Sequence, residues 1–272
     1  MRSLRWGFVA LAAAAATAGC SATPAKASTP ASAAQAGGWS GTFASFPSNA
    51  WRTAWGIDGS GEFGFGSTLS ASGGVLDVKY GKGSSAQSCT DCPTKGGGQF
   101  YQDLAKANHP ELRDATTLYL RYDLKFPAGF DFGKGGKLPG LYGGDPGEES
   151  GGNHGQGWST RFMFRGGTKG EVYVYTPSGD GYGKDVGLGQ WNFSPDGKTH
   201  TIEQSVNRST GKITVWYDGK QVLSSTAAPG ISGIPFKGVF FSTFFGGHET
   251  SWGPGHEEHA YFSNFAVSAS KL

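Results

Sequence analysis

Net charge is the first thing this sequence has little of. Its 272 residues carry 23 Lys and Arg against 21 Asp and Glu, a formal +2. No global field gathers nucleic acid or an anionic membrane, so an anionic ligand must be met by locally placed cations. Sustained helical periodicity is also missing, which argues against bundles and α/β folds. Cysteine is scarce, with three residues. Cys89 and Cys92 stand in Ser-Cys-Thr-Asp-Cys-Pro on a Gly/Ser-rich loop, without the βαβ context of a redox motif or two further zinc ligands. A small structural disulfide is the expectation, and neither a metal nor a cofactor is called for.

No apolar run is long enough to span a bilayer; residues 8–16, behind Arg2 and Arg5, fall well short of it. With the small residues Ala18 and Gly19 before Cys20, residues 1–20 read as a signal peptide. Cys20 is the candidate lipidation site of a bacterial lipoprotein, and ordinary cleavage with full secretion is the alternative. The expected location is secreted or outer-surface, and membrane attachment would come only through a lipid on Cys20. Residues 21–38, nearly all Ala, Ser, Thr, Pro, Lys and Gly, have nothing large to bury and read as a tether. Residues 39–272 are long enough for one all-β domain, expected to be a monomer.

What is abundant is glycine, 47 residues, and aromatics, 14% of the chain. That composition suits many short strands joined by tight turns. Alternation marks strands at 76–80, 118–126, 160–165, 171–175 and 201–207. Asp218-Gly219 between two β-runs reads as the type I′ turn of a hairpin over 213–223. Aromatic strands at 239–245 and 260–267 close the domain, and 102–108 is the one helical candidate. The spacing predicts an antiparallel sandwich or jelly roll.

Residues two apart on a strand share a face. Over 159–165, Ser159, Arg161, Met163 and Arg165 lie on one face and Thr160, Phe162 and Phe164 on the other. Over 171–175, the valines form one face and Glu171, Tyr173 and Tyr175 the other. Phenylalanines and valines belong in the core, so the opposite face displays two guanidinium groups, a hydroxyl and two phenols. Lys137 lies just upstream in a glycine-rich segment that lets backbones approach. Singly, such residues are ordinary solvated strand positions; together they suit β-elimination from a uronate. That reaction needs a carboxylate neutralised, a proton removed and a leaving oxygen protonated. A non-catalytic sugar-binding module is the alternative, but it has no need of a Lys beside paired tyrosines.

The segments Gly-Gly-Lys-Leu-Pro-Gly-Leu, Gly-Trp-Ser-Thr-Arg-Phe-Met-Phe-Arg and Val-Tyr-Val-Tyr resemble the family 14 polysaccharide lyases, which cleave alginate, and related glucuronan lyases. Supporting pieces are Gly97 to Tyr101, His200 to Gln204 and Phe241 to Gly247 followed by Trp252. The resemblance implies a β-jelly roll with a substrate groove along one sheet, and an acidic polysaccharide as substrate. It implies Lys137 with Tyr173 or Tyr175 as the acid and base, and Ser159 and Arg161 at the carboxylate. It also puts Gln99 on the substrate side. Arg165 joins that face by spacing, and Trp252 is a candidate stacking residue. His154 is either a pH-sensitive groove residue or a plain loop histidine.

Three other motifs carry less. His256-Glu257-Glu258-His259 spaces its histidines three apart after Gly-Pro-Gly, not four apart on a helix as a zinc-protease signature requires. Glu148 and Glu149 are adjacent, so an extended segment points them to opposite sides, unlike a hydrolase pair. Asn207-Arg208-Ser209 is a formal glycosylation acceptor, silent behind a bacterial-looking export signal.

Overall fold

The structure, a computed structural model, describes residues 37–148, 156–179 and 181–272. The signal peptide with Cys20, most of the linker, Glu149 and His154 lie outside the described residues. Fourteen strands run through the described residues. They are β1 (Trp39–Gly41), β2 (Leu69–Ser72), β3 (Val75–Tyr80), β4 (Gly98–Asp103), β5 (Thr117–Lys125), β6 (Gly135–Gly143) and β7 (Trp158–Arg165). There follow β8 (Lys169–Tyr175), β9 (Lys184–Asn192), β10 (His200–Asn207), β11 (Lys212–Tyr217), β12 (Lys220–Thr226), β13 (Phe236–Phe245) and β14 (Glu258–Ser268).

They form two antiparallel sheets, packed as the sandwich the sequence predicts. One has the order β12-β11-β10-β5-β14-β3-β2, with β1 on β14; the other has the order β4-β13-β6-β7-β8-β9. Between them lies one apolar core. Leu118, Leu120, Tyr122 and Leu124 of β5 face Phe162 and Phe164 of β7 and Val172 and Val174 of β8. Phe100 of β4 stacks flat on Phe241 of β13, ring centroids 4.4 Å apart. Thr160 and Gln204, caught between the sheets, satisfy each other. Thr160 Oγ1 donates to Gln204 Oε1 at 2.8 Å, and Gln204 Nε2 donates back to the Thr160 carbonyl. Asp218 and Gly219 both have positive φ, 50° and 74°, as a type I′ hairpin needs.

The helical expectation over 102–108 is wrong. Gln102 and Asp103 finish β4, and the Asp103 carboxylate accepts from the backbone N–H groups of Ala105 and Lys106, turning the chain instead. Among the described residues the α-helix is α1 (Asn49–Trp55), started by the Ser48 side chain and ended by Gly56 in the left-handed region. Its Trp51 and Trp55, one turn apart, are both buried in the core.

The segment that positions the site is β6, which alternation did not reveal. It is a central strand containing Pro139, a residue that central strands tolerate only at bulges. Pairing with β7 does shift register between Lys137 and Gly140. The extra residue reverses the alternation. Leu138 and Leu141 point into the core, while Lys137 and Tyr142 lie on the other face, Tyr142 against Tyr101 and Phe240. Gly140 lets β6 and β7 approach closely here, since a Cβ would lie 2.2 Å from the Thr160 carbonyl oxygen. Gly140→Ala is therefore expected to cost about 1–3 kcal/mol by forcing two backbones apart. A denaturant midpoint unchanged at constant m value would refute this.

Candidate active site

The outward face of the β4-to-β9 sheet is a groove, and the sequence alternation explains its lining. Gln99 comes from β4, Arg161, Met163 and Arg165 from β7, Tyr173 and Tyr175 from β8, and Phe244 from β13. With Lys137 and loop residues including Trp252, His248 and Tyr182, they enclose a cavity of about 480 Å³. In register, Arg161 pairs with Tyr173, and Ser159 with Tyr175.

Lys137 is half-buried. Its Nζ lies 4.1 Å from the centroid of the Tyr173 ring and donates to Met163 Sδ at 3.3 Å. A thioether and a π-face are weak replacements for water. Burial first, and then the charges of Arg161 and Arg165, hold its ammonium well below the usual lysine range. The Tyr173 phenol moves the opposite way, pushed up to about 12 by burial and by Tyr175 and Asp185. One group thus gives up its proton more readily than an ordinary lysine, and its neighbour holds its proton more tightly than an ordinary tyrosine. Tyr173 and Tyr175 meet edge to face, centroids 5.3 Å apart. Gly183 lets backbone pass against Tyr173, because a Cβ there would lie 2.1 Å from the ring.

Arg161 is 2% exposed. Its Nη1 donates to Ser242 Oγ at 3.1 Å, Ser242 donates to Gln99 Oε1 at 3.0 Å, and Gln99 Nε2 donates to the Gly61 carbonyl. The guanidinium lies 4.4 Å above Phe240 and 5.6 Å from Tyr175. It is a cation fixed in place by a polar chain and two rings. Gln99 therefore both borders the cavity and anchors that chain.

The remaining sequence candidates separate. Ser159 is fully buried in its strand and does not border the cavity. Arg165 borders it, but Nε donates to Glu171 Oε1 at 2.6 Å and Nη2 to Asp185 Oδ1 at 2.8 Å. Trp252 sits on the rim, packed on the backbone of Gly246 and Gly247, with Lys134 Nζ 6.0 Å from its ring.

Sequence reasoning did not single out Ser242, Asp185 or His248. Ser242 shares the groove face with Phe240 and Phe244 by the period-2 rule, a signal that was available. His248 accepts or donates at Nδ1 with Ser88 Oγ, 2.6 Å apart and 160 residues away in sequence, which no local pattern shows. That contact, with Thr250 N donating to Asp91 Oδ1, ties the loop closed by the Cys89–Cys92 disulfide to the β13–β14 connection. Away from the groove, His256 pairs with Glu258 at 2.8 Å, and His259 with Asp77 at 2.7 Å and Glu257 at 3.4 Å, so the two histidines share no carboxylate.

The family model described as Polysaccharide lyase 14 matches residues 68–265. Among solved structures, the marine PL-14 alginate lyase from Aplysia kurodai is 29% identical with a TM-score of 0.61, covering 74% of this chain and 87% of that one. Alginate lyase Aly36B is 20% identical (TM-score 0.63; 87% and 98% covered), and alginate lyase vAL-1 from Chlorella virus 21% identical (0.57; 79% and 93%); these two speak for the fold alone. No curated protein sequence matches the chain. With the matched segment running from β2 into β14 and containing every strand of the groove, this chain belongs to polysaccharide lyase family 14.

Proposed function

We propose that the protein cleaves a polyuronate by β-elimination, with alginate the first substrate to test and glucuronan the second. The observation that carries this is Lys137 at 4.1 Å from the Tyr173 ring, beside Arg161, in one cavity. Arg161 faces the uronate carboxylate, and neutralising it makes the C5 proton acidic. Lys137, held below its ordinary range, takes that proton. The C5–H electron pair becomes the C4=C5 double bond as the C4–O4 bond breaks, and a phenol protonates the departing O4. Tyr173, kept protonated by burial, fits the acid role; Tyr175 lies beside it. Support for alginate comes from the Aplysia kurodai relative, an alginate lyase, and from membership of polysaccharide lyase family 14.

The test is to incubate the purified protein with alginate, glucuronan and hyaluronan, following the ultraviolet absorbance of the unsaturated uronate end. A rise with alginate or glucuronan is expected. Retained binding with no absorbance rise on any polyuronate would leave the sugar-binding module as the correct reading.

A further inference from the structure

Two carboxylates that do not line the groove have no place in the elimination just described. Glu171 of β8 is fully buried, two residues before Tyr173 on the same face, and Asp185 of β9 pairs with Tyr173 in register. Both close on Arg165, at 2.6 Å and 2.8 Å, and its guanidinium carbon lies 5.6 Å from the Tyr173 ring. Glu171 Oε2 is buried without a hydrogen-bond partner, an arrangement costly enough to need a reason.

We propose that Glu171 and Asp185 are positioning residues. They turn Arg165 from a substrate cation into a fixed brace for Tyr173, and they offset the positive charge around Lys137. The groups facing Lys137 are Arg161 and Arg165 of β7, Tyr173, Tyr175 and Glu171 of β8, and Asp185 of β9. The two arginines disfavour its ammonium and the two carboxylates favour it. Glu171 is itself poised, pushed up to about 7 by burial, against the pull of Arg165 and with Asp185 adding to the rise, so above neutrality its charge acts on Lys137. The base is then tuned by carboxylates that take no part in the elimination. The catalytic meaning of this rests on the reading of Lys137 under Proposed function.

Labelling of Lys137 by an amine-directed acylating reagent, read by peptide mass across pH, tests the coupling without turnover. Glu171→Gln keeps an acceptor for Arg165 and removes the charge. Its midpoint for Lys137 is expected to fall by about one pH unit, roughly tenfold in free amine below the midpoint. Asp185→Asn is expected to move it the same way by less. A merely structural role predicts the reverse, because a loosened site admits water and lets the midpoint rise. An unmoved or raised midpoint in Glu171→Gln overturns the inference. The acidic limb of kcat/KM on a cleaved polyuronate should follow the same shift. Absence of cleavage on every polyuronate would sink the lyase reading, while the labelling midpoint would still decide this one.

Discussion

Replacing Lys137 by alanine is expected to lower kcat by roughly 10²- to 10⁴-fold, the range a positioned general base supplies, with little change in KM. The argument turns on protonation as well as position. Burial and two neighbouring arginines lower the Lys137 pKa, so the free amine is present at a lower pH than for an ordinary lysine. Activity in the intact protein should therefore rise with pH through that lowered value. It should be sustained on the alkaline side, since Tyr173 keeps its proton until about 12. Lys137→Arg separates base from charge, because a guanidinium in the same place cannot give up its proton in this range. If Lys137 were only a carboxylate cation, Lys137→Arg would retain most of the activity. Retention of more than a tenth of kcat in either variant, measured as the initial rate of ultraviolet absorbance, would remove Lys137 from the base role.

The sequence could be read as far as local periodicity reaches. Alternation over 159–165 and 171–175 put Arg161, Met163, Tyr173 and Tyr175 on one face because a strand's period is two and the core is apolar. It could not give depth along that face. Ser159 obeys the same parity as Arg161 yet is sealed off from the cavity. Nor could it see through the bulge at Leu138 and Pro139, where parity reverses; Lys137 was legible only through its family motif. The pairing of Arg165 with Asp185 was hidden for a different reason. β9, rich in glycine and charge, does not alternate as a half-buried strand should. The helix at Asn49–Trp55 was missed although Ser48 and Gly56 bracket it, because seven residues are too few for a helical period to stand out.

Arg161→Lys is expected to cut kcat/KM by roughly 10²- to 10³-fold, though it conserves charge. As C5 loses its proton, negative charge moves onto the uronate carboxylate, so the cation that meets it matters more in the transition state than in the bound substrate. Arg161 is built for that by fixed geometry. One arm is held by Ser242, which is held in turn by Gln99, and the plane lies over Phe240. Lysine offers a single mobile ammonium in place of a planar fork and cannot hold the ring and Ser242 while also meeting a carboxylate. The loss should fall chiefly on kcat, because the interaction strengthens as the reaction proceeds. Ser242→Ala leaves the guanidinium in place and removes only its anchor. A smaller decrease, about tenfold, is expected there as orientation is lost. Steady-state kinetics on whichever polyuronate is cleaved distinguish the two. If Arg161→Lys stayed within threefold of the parent, or raised KM alone, Arg161 would be a ground-state binding residue, and the carboxylate would have to be neutralised by some other group in the groove.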